Sequence, residues 1–118
     1  MEKIIKVGGK DVGFKTTAST IVKYRRKFNR DLFDDIQAIL PKAVENKLNV
    51  SDLECFENIA YIMARQYDST IPDDPDDWLD QFEMFDIYHI LPEIADLWVK
   101  NTFEISQSKK KVEEQSEN

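Results

Sequence analysis

The chain has 118 residues, 42% of them hydrophobic, with seven Phe, four Tyr and two Trp. That is material for one ordinary core rather than two. The formal net charge of −7 argues against a general nucleic-acid binder, because neutralising phosphates supplies most non-specific affinity.

The distribution of charge says more than its sum. Residues 1–30 hold nine Lys/Arg against two acids, a net +7; residues 31–105 hold four against eighteen, a net −14; residues 106–118 balance. Such polarity either neutralises itself within one fold or lets chains associate head to tail. The single cysteine, Cys55, lies in an apolar helical pattern and reads as a buried reduced thiol, so a disulfide framework is excluded. No apolar run approaches the length of a membrane span and no signal-peptide core opens the chain. The expectation is a soluble cytoplasmic protein that engages no membrane.

In chain order, Lys3–Val7 and Asp11–Lys15 flank Gly8-Gly9-Lys10. β-Branched runs around paired glycines predict a hairpin, and nothing matches a phosphate-binding loop. The spacing then predicts a helix over 17–29, with Ile21, Tyr24 and Phe28 on one face and Lys23, Arg25, Arg26 and Lys27 off it. Asn29-Arg30-Asp31 interrupts the period, and Asp31 is placed to cap a second helix over 31–46. Its apolar stripe runs from Leu32 and Phe33 to Ala43 and Val44, with a kink or break expected at Pro41. Ser51-Asp52-Leu53-Glu54 has the pattern of a capping box for a third helix, whose wide face of Leu53, Phe56, Ile59, Ala60, Ile62, Met63 and Tyr67 wants neighbours on two sides.

Asp68 to Asp77 holds five aspartates with Pro72 and Pro75. The spacing does not match a calcium loop, whereas a helix start fits every residue: Asp74 as cap, Pro75 in first position, Asp76 and Asp77 at the positive end of the dipole. Trp78, Leu79, Phe82 and Phe85 follow on a short helix, and a last long helix runs to about Phe103 with Pro92 kinking it or marking its start. The density of large side chains from Trp78 to Phe103 exceeds what one helix face hides, so part of it is a candidate binding surface. His89, the only histidine, has Asp86 and Glu93 at helical spacing, but no nucleophile or second histidine accompanies them. No catalytic, metal-binding or cofactor-binding constellation is expected. The overall expectation is a mainly α fold: a small helical bundle with an N-terminal β-hairpin, one domain over 1–105, then a disordered polar tail over 106–118.

The order of these features resembles a known family. The hairpin, the Tyr24-Arg25-Arg26-Lys27-Phe28-Asn29-Arg30-Asp31-Leu32 junction, Trp78-Leu79 opening a helix, Leu97-Trp98 near the end and a lysine-rich polar tail are similar to the tail assembly chaperones of long-tailed phages and prophages of Gram-positive bacteria. The resemblance covers residues 2–111. Glycine is common in that family where this chain has Asn29, and asparagine tolerates left-handed geometry next best.

The resemblance implies a non-enzymatic protein of the host bacterial cytoplasm, absent from the finished virion. It would bind the tape measure protein, keep that long helical chain soluble, and bring major tail tube protein to it, without nucleic acid or cofactor. It also implies a longer product made by ribosomal frameshifting, with Lys109-Lys110-Lys111 as a place for slippery codons. Candidate contact residues are Trp78, Phe82, Phe85, Trp98 and Phe103, with Arg25, Arg26 and Arg30 as polar or self-association contacts in a homo-oligomer. Two alternatives stand beside this reading. One is a small regulatory nucleic-acid binder using Lys23 to Arg30; the other is an acidic inhibitor or DNA mimic of a host protein acting through 68–86.

Overall fold

The computed structural model describes residues 1–99; Phe103, Ile105 and the 106–118 tail lie outside them. Strands β1 (Glu2–Val7) and β2 (Lys10–Lys15) pair antiparallel, with Val7 opposite Lys10 and Glu2 opposite Lys15. Two residues, Gly8 and Gly9, make the turn at φ of 59° and 84°. Positive φ at both positions is what a type I′ hairpin turn demands, and its twist matches that of the strands. Ile5, Val7 and Phe14 point into the core.

Helix α1 (Ala18–Phe28) opens with a capping box: Thr17 is the cap, and its own N–H donates to Thr20 Oγ1 at 2.9 Å. It ends at Asn29, which takes the left-handed conformation at φ 55° while its N–H donates to the Arg25 carbonyl. Asparagine at this position is therefore a C-terminal stop, and Arg25, Arg26 and Lys27 fall in the last turn, where the dipole favours cations. Asp31 caps α2 (Leu32–Val44), accepting the Asp34 N–H at 3.0 Å. Pro41 does not end this helix. It lies in the last turn, and the helix stops at Val44, within one turn of it.

Helix α3 (Val50–Tyr67) is the centre of the molecule. Phe56, Ile59, Ala60, Tyr61, Met63 and Ala64 are all buried, and the hairpin, α1, α2 and α4 pack around them. Each large side chain so buried contributes roughly 1.5–3 kcal/mol. The cap of this helix is Asn49, two residues before the expected Ser51. Asn49 Oδ1 accepts the Asp52 N–H at 2.8 Å, and Asp52 returns the bond to the Asn49 N–H at 3.0 Å. Two capping boxes overlap in the sequence, and the Asn49 frame wins because it also puts Asp52 against Lys42 of α2 at 3.2 Å. The bond from the Asn49 backbone, then Lys42, hold the Asp52 carboxyl below its usual range despite burial.

Helix α4 (Pro75–Leu79) starts as expected, with Asp74 accepting the Asp76 N–H and Pro75 at the first position. The long final helix is divided. A single turn, α5 (Asp86–His89), is followed by Ile90 and then by a helical stretch, α6, over 91–99. Pro92 sits in the first turn of α6, where its missing N–H costs nothing, so it marks a start and not a kink. Trp78 reaches under α4 to meet Tyr61 edge-on at 5.9 Å, and Trp98 meets Phe56 at 6.1 Å. The two tryptophans thus pack α4 and α6 onto α3. The result is a helix-dominated domain with an N-terminal hairpin.

Candidate functional site: an apolar groove beside a locked junction

The α1–α2 junction is built around Asp35. This carboxylate is nearly inaccessible and accepts three hydrogen bonds: Tyr24 Oη at 2.5 Å, Arg30 Nε at 2.9 Å and an Arg30 terminal nitrogen at 2.7 Å. Arg30 grips it with both arms, the geometry in which a guanidinium binds a carboxylate most strongly. Burial pushes the Asp35 carboxyl up, but the bonds from Arg30 and Tyr24 together outweigh it and hold it below its ordinary value. Burial first, then the bond to Asp35, raise the Tyr24 phenol. Arg30, half exposed, is therefore spent on the fold rather than offered to a partner. Cys55 of α3 lies close by, its thiol pushed up by burial and then by the Asp35 charge.

Beside this junction, α1, α2, α3 and α6 leave a groove of about 390 Å³. Its walls are Ile21 of α1, Phe33 and Ile36 of α2, Ile59 and Met63 of α3, and Trp98 of α6; residues 16–18 form part of its lining. That volume is within the usual size of a binding pocket, about 300–1,000 Å³. No charged side chain lines it. Trp98 is 2% exposed, and its Nε1–H is buried without an acceptor. Arg25 follows Ile21 by one helical turn, is exposed, and makes no ion pair with a described residue. The groove accordingly has an apolar floor and a cation on its α1 side.

A second hollow of about 470 Å³ lies across α1, between Lys23, Arg26 and Lys27 on one side and Arg65, Gln66 and Asp73 on the other. Lys27 donates to the Asp73 carbonyl and Arg65 pairs with the Asp73 carboxylate, so much of its charge is already engaged.

The candidate contact residues separate into three groups. Trp78 and Trp98 are core, and only Trp98 touches the groove. Phe82 is half buried, stacked edge-on against Trp78 at 5.2 Å with Lys10 Nζ over its ring. Phe85, at 61% exposure, stands in solvent next to Met84 at 81%. Arg25 and Arg26 are exposed, Arg30 is bound to Asp35, and Phe103 lies outside the described residues. The groove walls were visible in the sequence only as separate helical stripes; what brings them together is the packing of four helices. His89 is exposed, while Asp86 is half buried and accepts the Glu83 N–H at 2.9 Å. Among the described residues no group of three His, Cys, Asp or Glu could hold a metal ion, and no helix is long and apolar enough to cross a membrane. Compared with protein-family models, curated proteins and solved structures, the chain matches none.

Proposed function

We propose that this protein is a non-enzymatic tail assembly chaperone of a Gram-positive siphophage or prophage. Its client is the tape measure protein, which it keeps soluble in the host cytoplasm while tail tube subunits are recruited, the latter through a frameshifted longer form. The observation that carries the reading is the groove: an apolar slot among four helices with Arg25 beside it suits the apolar stripe of an amphipathic helix, the kind of surface a long helical client presents in every few turns. The junction residues that bear the family resemblance support it further, since Tyr24 and Arg30 tie α1 and the junction to α2 through Asp35, and Asp31 caps α2 beside the groove.

Co-expression with the protein encoded immediately downstream tests this. A long helical neighbour that is recovered soluble, and pulled down, only with this chain is the expected result. A tape measure protein indifferent to this chain would remove the functional content of the proposal. Reading the codons for Lys109 to Lys111 checks the frameshift; AAG codons without a slippery heptamer count against it.

A second reading draws on the hollow lined by Lys23, Arg26 and Lys27: a small regulatory nucleic-acid binder. Salt-dependent retention on duplex DNA would favour it over the chaperone. The acidic-inhibitor reading, through 68–86, predicts binding to a basic host protein and none to a tape measure fragment.

A further inference from the structure

The segment between α4 and α5 carries an apolar feature without a partner. Met84 and Phe85 are the adjacent pair with the largest exposed apolar side chains, 81% and 61% accessible, and acids flank them at Asp80, Glu83 and Asp86. The segment is held in place. Lys10 Nζ donates to the Gln81 carbonyl at 3.2 Å, the Phe82 ring packs on Trp78, and Asp86 lies so close to Gly8 that a Cβ there would meet its carboxylate at 2.1 Å. Met84 and Phe85 therefore form a fixed knob against the turn end of the hairpin.

The groove lies toward the other end of the hairpin. Residues 16–18 form part of its lining, and they follow the open end of the hairpin, where the Met1 amino group donates to the Thr16 carbonyl at 2.9 Å. A six-residue strand separates the two ends, about 20 Å at 3.3 Å per residue. A chain's own knob cannot fill its own groove.

We propose that in the free protein the Met84–Phe85 knob of one copy seats in the α1–α2–α3 groove of a second copy. Two properties of the two surfaces agree. The knob is apolar and so is the groove floor. The acids beside the knob, Asp80 and Glu83, are exposed, and the cation beside the groove, Arg25, is free of described ion partners. Such a contact joins unlike surfaces, so it repeats from copy to copy and yields rings or open chains rather than a closed two-fold dimer. It shares the groove with the chaperone reading, and a client helix would displace it.

The test uses the full chain and no client, so it stands apart from the question of what the client is. Two variants are made at exposed positions: M84D/F85D removes the knob, and A18E fills part of the groove with a side chain that repels the acidic knob and suits a helix start. Sedimentation of the wild type at low salt should show a mass that grows with concentration past the dimer and falls toward monomer between roughly 50 and 500 mM salt. Each variant alone should be monomeric. Mixed one to one, they should form a dimer that grows no further, because the pair holds one working knob and one working groove. A monomeric wild type overturns the proposal, as does association that survives in either variant or a mixture that stays monomeric. So does a wild type that is monomeric alone and assembles only around an added helical client, which would give the groove to the client from the start. Tryptophan emission that shifts red in A18E, with the wild type monomeric, would give it to the 100–118 segment and equally sink the proposal.

Discussion

Two polar-rich stretches of similar length behave in opposite ways. The junction from Tyr24 to Asp35 is dense in charge, yet its key groups face each other: Tyr24, Arg30 and Asp35 close a network around a buried carboxylate, while Arg25, Arg26 and Asp34 look outward. The stretch from Asp80 to His89 carries only three acids and no Lys or Arg; Asp80 and Glu83 stay in water, Asp86 turns back to accept the Glu83 N–H, and Met84 and Phe85 stand out between them. The first region uses polarity to fix two helices; the second uses short turns to present apolar groups. Charge density alone therefore does not mark a binding surface. What matters is whether the charged groups have partners inside the chain.

Mutations should separate the two regions sharply. The largest effect belongs to Asp35→Ala, which strands the Tyr24 hydroxyl and the Arg30 guanidinium; a loss of about 3 kcal/mol is expected in urea unfolding with an unchanged slope. Next is Gly8→Ala, where positive φ and the approach of Asp86 act together, for about 2 kcal/mol, against about 1 kcal/mol for Gly9→Ala, whose Cβ would meet nothing. Tyr24→Phe leaves Asp35 one bond short and should cost about 1.5 kcal/mol. At the other extreme, M84D/F85D should change stability by less than about 0.5 kcal/mol, since both side chains are already in water. If the knob variant destabilises as much as Asp35→Ala, the contrast between the regions fails.

Acid provides a finer test. The folded-state pKa values of Asp35 and Asp52 are depressed, so their contribution is present above the unfolded carboxylate value and lost as pH falls through the folded one. Stability of the wild type should drop below about pH 4, and Asp35→Asn should make that acid limb shallower. An unchanged limb would mean that Asp35 is not charged in the folded junction.

Much of the fold was legible because it depends on neighbours in sequence. The Gly8-Gly9 turn, the Asp31 and Asp74 caps and the left-handed stop at Asn29 each follow from one to four residues. The Asn49 cap was not, because Ser51 offers an equally good box and the choice is made by Lys42, ten residues from Asp52 on another helix. Asp35 had the same fate: as a first-turn acid it looks ordinary, and its role exists only once α1 lies against α2. The site was the least legible part. Trp78 and Trp98 invited a surface reading because their stretch is rich in large side chains, yet both are buried, against Tyr61 and Phe56 of α3, where they join Ile87, Ile90 and Ile94 in one core. The groove is a gap between helices, and no single stripe announces a gap.

Cys55 gives the molecule a built-in clock. Its thiol is buried in α3 near Asp35, with its acidity suppressed by that burial and by the neighbouring carboxylate. Because Asp35 of α2 lies near it, its reaction with a thiol reagent is expected to wait on local opening between α2 and α3, so that the labelling rate would count those openings. Any ligand that bridges Phe33 and Ile36 to Ile59 and Met63 across the groove ties the same two helices together and should slow that count. Occupancy of a surface with no colour, charge or catalytic turnover of its own thus becomes readable as a reaction half-life at a single sulfur atom.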